Sequence, residues 1–180
     1  MKSLFVWKIL LMLAICSSMS NIQAEKADKD KPIALSSDKA QFDDVNQIYH
    51  LESNVLLVKG TLIIRGEKAH VKIDPEGYQL ATIFAKAGGL ASLKQRRDTG
   101  LDDYIEGQAD WIQYDAKSET ATLVGKAKMS QLSGTKISDQ VKGDRIHYDG
   151  QTEKYNALSE QLVKSTLSPR RKESSRNISQ

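Results

Sequence analysis

Cysteine is nearly absent from this 180-residue chain: Cys16 is the only one. A disulfide-stapled mini-protein is therefore excluded. Hydrophobic residues make up 39% of the chain, low against the usual share of roughly 45–50%, a figure that also counts Gly. A multi-span membrane protein would need far more. One-signed charge is missing too, with 26 Lys plus Arg against 23 Asp plus Glu, which speaks against a strongly basic nucleic-acid binder. Aromatic residues stand at 6% and prolines at three. What remains is a single globular domain with rationed apolar surface.

No long hydrophobic run occurs either. Lys2 and Lys8 flank an apolar opening, and residues 9–16 form an uncharged core that ends before the small and polar residues up to Ala24. A spanning helix needs about 20 apolar residues. The layout is that of a cleavable secretory signal, residues 1–24. A charged leader follows at 25–31, then a domain at 32–163 and a basic tail at 164–180. Cleavage would remove Cys16, so the exported domain must be held by its core alone. The tail carries five Lys or Arg and one Glu with little apolar content, a composition that predicts disorder.

Inside the domain the hydrophobic pattern has period two. Tyr49, Leu51, Val55 and Leu57 share one face, while Ala69, Val71 and Ile73 alternate with His70, Lys72 and Asp74. Asp74-Pro75-Glu76-Gly77 is a turn, since Pro sets its first bend and Gly accepts positive φ. Short strands with closely spaced turns predict an all-β fold, a sandwich, barrel or jelly roll.

An internal repeat carries more information. Residues 37–43 (SDKAQFD), 109–115 (ADWIQYD) and 143–149 (GDRIHYD) share one pattern: small, Asp, any, apolar, any, aromatic, Asp. Residues 66–71 (GEKAHV) form a weaker fourth copy. The apolar and aromatic positions lie two apart, on one strand face; the closing Asp begins a turn. Flanks match as well, residues 50–55 with 122–127, so a turn-strand-turn-strand unit recurs.

These residues resemble the OstA-like family of lipopolysaccharide-transport proteins. The matching motifs are Pro32-Ile33-Ala34-Leu35-Ser36-Ser37-Asp38, Leu51-Glu52-Ser53-Asn54-Val55, Glu106-Gly107-Gln108-Ala109, Tyr114-Asp115, Leu123-Val124-Gly125 and Val141-Lys142-Gly143-Asp144-Arg145-Ile146-His147-Tyr148. Ser53 stands where the family usually has Gly, and Leu90 where it commonly has Pro. The resemblance implies a twisted, open-ended β-jelly roll whose apolar groove takes the lipid A acyl chains of lipopolysaccharide in the periplasm. It also implies head-to-tail self-association between an inner-membrane LptC-like anchor and an outer-membrane LptD-like translocon. Strand alternation then offers Ile33, Leu35, Leu57, Ile63, Ile112 and Tyr114 as groove residues. Leu93, Leu123, Met129, Ile146 and Tyr148 complete the set. Lys94, Arg96 and Arg97 could form a rim for lipid phosphates, because Arg binds phosphate bidentately; an ordinary solvated loop is the plainer alternative. The expected edges of the open sheet are residues 33–37 and about 154–163.

Enzyme chemistry has no visible seat. His50, His70 and His147 lack metal-ligand spacing. The adjacent carboxylates Asp43-Asp44 and Asp102-Asp103 would point to opposite strand faces. No nucleophile elbow or phosphate loop occurs. The expectation is a binding protein without cofactor, metal, nucleotide or nucleic acid. Two alternatives stay open: a membrane-anchored LptC-like component of the same pathway, and a jelly-roll carbohydrate-active enzyme.

Overall fold

The computed structural model describes residues 31–169. The predicted signal, the leader up to residue 30 and the tail from residue 170 lie outside the described residues. Twelve strands follow one another. The first six are β1 (Ala34–Ser36), β2 (Lys39–Asp43), β3 (Ile48–Lys59), β4 (Leu62–Ile73), β5 (Gln79–Phe84) and β6 (Ala91–Arg96). The second six are β7 (Asp103–Ala109), β8 (Trp111–Asp115), β9 (Thr120–Ser133), β10 (Lys136–Asp149), β11 (Lys154–Leu158) and β12 (Lys164–Leu167). Every pairing is antiparallel.

Four long strands, β3, β4, β9 and β10, bend midway and serve two runs of pairing. Sheet I contains β2, the first part of β3, the second part of β4, β5, β8, the first part of β9, the second part of β10, and β11. Sheet II contains β1, the remaining parts of the same long strands, β6, β7 and β12. The ribbon is thus folded along its length, with the apolar faces of both sheets meeting in one core.

The two halves of the chain are copies of one six-stranded unit. In the first, β3 pairs β1, β2 and β4, and β4 pairs β5 and β6; in the second, β9 pairs β7, β8 and β10, and β10 pairs β11 and β12. β5 meets β8 and β6 meets β7 where the units join. The free strands are β1 and β2 at one end, β11 and β12 at the other.

The repeated motif supplies the bends. At the first, Ser53 and Asn54 adopt φ of 62° and 55°; at the equivalent bend Gly125 and Lys126 adopt 76° and 48°. The leading Asp of the motif faces each bend. The N–H of Asp38 donates to Ser53 O at 2.9 Å and that of Asp110 to Gly125 O at 2.8 Å. In β4 the bend falls at Gly66, where a Cβ would collide with the Ile83 side chain and lie 2.6 Å from Phe84 O. These bends touch one another in succession and form a spine.

Opposite the spine lie the hairpin turns of both sheets, along a seam. Three of the four sheet I turns repeat one device. Asp43, Asp115 and Asp149 each accept backbone N–H groups from the turn they open. The residue four further on is left-handed each time: Gln47 at 54°, Glu119 at 55° and Glu153 at 52°. The fourth turn is the predicted one, with Asp74 accepting from Glu76 and Tyr78 and Gly77 at φ 91°.

Two expectations need correction. Ile63 does not face the core: Leu62 and Ile64 do, at 3% and 0% exposure. Alternation carried back from Ala69 fails because the bend at Gly66 shifts the inward phase by one residue. The basic tail is not wholly irregular either, since Lys164–Leu167 pairs with residues 139–142 of β10 as a twelfth strand. That strand is exposed at every position, so it is held by backbone pairing, and apolar content gave no sign of it. Of the predicted last edge, residues 154–163, only β11 is a strand, and β12 beyond it forms the edge of the other sheet.

Candidate functional site

The inward faces of the two sheets form an apolar trough that runs from the β1/β2 end to the β11/β12 end. Leu57, Leu93, Ile112, Leu123, Met129, Ile146 and Tyr148 lie in it almost without exposure, and Tyr114 is nearly as buried. Cross-strand registers bring them together: Ile112 pairs Leu123, Leu123 pairs Ile146, and Tyr114 pairs Ala121. Sequence alternation did not single out Ile64, Ile83 and Ile105, which are as deeply buried. Their parity alone would have found Ile83 and Ile105, while Ile64 is hidden by the same phase shift that misplaces Ile63.

The trough is densest in the middle and looser at the ends. Ile33 and Leu35 are half-buried and pack against the core. With Tyr49, Val71, Ile73 and Gln79 they line a cavity of about 280 Å³ at the β1/β2 end. Beside it Phe42, 42% exposed, stacks on Tyr49 with ring centroids 4.3 Å apart. At the other end Tyr155 and Ala157 continue the inward face, opposite Tyr148 and Ile146.

The three predicted rim cations do not form one cluster. Lys94 points outward, bonded to Glu106 at 2.8 Å and lying 4.6 Å from the Tyr104 ring centroid. Arg96 shares that strand face. Arg97 has the opposite parity and is held by Glu153 at 2.5 Å and Gln131 at 3.3 Å. It lines a second, polar cavity of about 280 Å³ with Thr99, Asp103, Gln131, Leu132, Ser133 and Ser138. A phosphate approaching Arg97 would have to displace a carboxylate.

On the outer face of sheet I, His50 and His70 are cross-strand neighbours with centroids 4.8 Å apart, and His147 Nδ1 lies 3.1 Å from Thr122 Oγ1. Among the described residues no group of three or more His, Cys, Asp or Glu could hold a metal ion. Charge is organised instead at the turns. The side-chain amide and backbone N–H of Asn46 hold the Asp43 carboxyl below its ordinary 3.8. The backbone N–H of Glu160 and the Ser159 hydroxyl do the same for Asp144. Burial pushes Asp149 up, but hydrogen bonds from Thr152 and Gln151 outweigh it and leave this carboxyl lowered too. Lys117 is raised by its bond to Glu76.

Comparison with known proteins bears on this geometry. The model of a family described as LptA/(LptD N-terminal domain) LPS transport protein matches residues 34–154. The chain is 28% identical over 157 residues to the lipopolysaccharide export system protein LptA of Escherichia coli K12, covering 85% of this chain and 80% of that protein. It is 25% identical over 148 residues to the lipopolysaccharide export system protein LptH of Pseudomonas aeruginosa, covering 82% and 78%. Its fold matches the crystal structure of LptH from Pseudomonas aeruginosa with a TM-score of 0.69 at 22% identity, over 79% of this chain and 99% of that one.

Proposed function

This chain belongs to the LptA/LptD N-terminal-domain family of lipopolysaccharide-transport proteins, and from that premise we propose that it is a periplasmic bridge that carries lipopolysaccharide through its apolar trough. It works by binding and passing, without covalent chemistry, and it reaches the periplasm by cleavage of residues 1–24. The lipid's acyl chains lie against Leu35, Leu57, Ile112, Leu123, Met129 and Ile146. Partners of the same fold, an inner-membrane LptC-like anchor and an outer-membrane LptD-like translocon, take the two ends.

The observation that carries the bridge is the duplication. Inside the molecule one unit is joined to the next by β5 against β8 and β6 against β7. The free ends present the same strands again: β11 and β12 are the equivalents of β5 and β6, and β2 and β1 those of β8 and β7. A second copy added end to end repeats the internal joint. Unpaired edges are templates for strand addition, and a heterologous contact of this kind stays open-ended.

The internal register fixes the external one. Ala81 pairs Tyr114 and Ile83 pairs Ile112. Carried across the repeat, Tyr155 meets Phe42 of the next copy, and Ala157 meets Ala40. Lys154 then faces Asp43, an opposite-charge cross-strand pair. Asp43→Lys and Lys154→Asp should each push the protein towards monomer, and the two together should restore a ladder of sizes in light scattering across a dilution series. A ladder unchanged by either variant refutes this joint. For the lipid, a photo-crosslinking residue at Leu35 or Met129 should capture labelled lipopolysaccharide in cells, and one at His70 or Lys72 should not. Equal capture from both faces refutes the trough.

A further inference from the structure

The trough is full. Leu57, Ile64, Ile83, Ile112, Leu123 and Ile146 are at 0% exposure, and the cavity at the β1/β2 end holds only about 280 Å³. Pockets for drug-sized ligands run to roughly 300–1,000 Å³, and a lipid with several acyl chains is larger still. The sheets must part to take it. They cannot part along the spine, where four strands run unbroken from one sheet into the other. The seam is the side that can open.

Among the described residues two ion pairs cross that seam. Lys59, at the sheet II end of β3, bonds Glu119 in the β8–β9 turn of sheet I at 3.2 Å, with side chains 6% and 13% exposed. Arg97, just past the end of β6 in sheet II, bonds Glu153 in the β10–β11 turn of sheet I, with 17% and 19% exposed. The N–H of Asp98 adds a bond to Glu153 Oε1 at 3.2 Å. Every other ion pair is far more exposed and stays within one sheet or at a bend.

Both acids occupy the left-handed position of the repeated turn, which aims the side chain across the seam. The third such position is Gln47, whose amide turns back to Asp44 instead, at 2.6 Å to O and 3.1 Å to Oδ1. The seam is therefore unclasped near the β1/β2 end, beside the cavity lined by Ile33, Tyr49 and Ile73. Apolar side chains stand exposed on the seam turns as well: Val45 at 92%, Leu101 at 87% and Tyr78 at 44%.

We infer that Lys59–Glu119 and Arg97–Glu153 are clasps on a lateral lipid entrance, made in the empty protein and broken when the sheets open to admit acyl chains. The inference rests on the lipid-binding reading above. Apolar contacts are non-directional, so protein–protein contact can be exchanged for protein–lipid contact with little loss. Ion pairs are directional and have no substitute on an acyl chain, so they set the barrier.

The test uses the mature protein, which has no cysteine once the predicted signal is removed. Lys59→Cys with Glu119→Cys, and Arg97→Cys with Glu153→Cys, are bridged by a reducible bis-methanethiosulfonate linker, since two cysteines are much shorter than the Lys or Arg and Glu side chains that span each gap and a direct disulfide needs closely placed Cβ atoms. Loading of fluorescent purified lipopolysaccharide is followed by stopped flow. The stapled protein should load more slowly by roughly tenfold or more and recover on reduction. Glu119→Gln with Glu153→Gln, which leaves no free thiols and no linker, should load faster and bind more tightly, with release little changed, because the clasps oppose only the empty-to-loaded step. Stapled protein loading at the unstapled rate overturns the clasp, as does a Gln variant with an unchanged loading rate. Failure of the folded, unmodified protein to bind lipid at all refutes the trough itself, and the two failures are thereby distinguishable.

Discussion

The duplicated fold predicts opposite effects for two substitutions at one repeated position. Ser53 and Gly125 both open a bend with positive φ, 62° and 76°. A side chain there costs about 1–2 kcal/mol in the left-handed region, and Ser53 bears that cost while Gly125 does not. Gly125→Ala adds a second penalty, because a Cβ would strike the Asp110 carboxylate and lie 2.9 Å from Asp110 Cβ. Asp110 cannot retreat freely, since its N–H is bonded to Gly125 O at 2.8 Å. Overpacking of this kind costs about 1–3 kcal/mol, so the sum is about 2–5 kcal/mol. At about 4 °C per kcal/mol for a domain of this size, Tm should fall by roughly 8–20 °C. Ser53→Gly relieves the strain and gives back part of it as chain entropy, about 0.5–1 kcal/mol, so it should stabilise by up to about 1 kcal/mol. Urea and thermal unfolding by circular dichroism measure both. Equal or same-sign effects at the two positions would refute the equivalence of the bends.

Three further outcomes are expected. Leu35→Asp, at a half-buried mouth position, should keep the fold and weaken lipopolysaccharide binding by roughly tenfold or more, a loss of about 1.4 kcal/mol; unchanged binding in a folded variant counts against the trough. Asp43, Asp144 and Asp149 all have lowered carboxyl pKa values in the fold. Their stabilisation is therefore complete above the unfolded value near 3.8 and is lost as pH falls through the folded values. The urea midpoint should drop below about pH 4, and a triple Asp→Asn variant should show a flatter profile; identical profiles would remove the turn hydrogen bonds as the cause. A stop after Val163 should leave a folded monomer, because β12 contributes no buried side chain, yet weaken end-to-end assembly by removing the sheet II half of the joint. Wild-type assembly in that truncation would show that β11 suffices.

Period two and the Asp-centred repeat made the strands, the turns and most of the inward face legible. The closing Asp was readable because its role is local: it bonds N–H groups two or three residues on, as Asp115 does with Lys117 and Ser118. The bends were not fully readable. Crossing them, β3 and β9 keep their inward parity, Leu51 to Val55 and Leu123 to Ala127, whereas β4 and β10 shift it, Ile64 to Ala69 and Val141 to Ile146. That shift depends on register irregularities such as the one between Gly143 and Arg145, set by the partner strand and not by local composition. Arg97 escaped for the same reason. Beside Lys94 and Arg96 it looks like one more surface cation, and only the fold brings Glu153 from 56 residues away to meet it.

The spine and the seam divide stability and access between them. Bends such as Gly66 and Gly143 allow no side chain without collision with Phe84 or Leu158 backbone, so one side of the molecule is fixed by close backbone contact. The seam is crossed by charges instead, and largely buried ion pairs add little net stability because desolvation offsets their attraction. A joint of that kind gives the closed state a defined geometry without making it deep. Lengthening the molecule by end-to-end addition continues the spine, the seam and the trough together, since each added unit repeats the same six strands. On that proposed assembly, a lipid in one unit would meet, at the joint, the same apolar face that it leaves. Movement along the proposed bridge would therefore require no change of environment, only the successive release of the proposed clasps ahead of it.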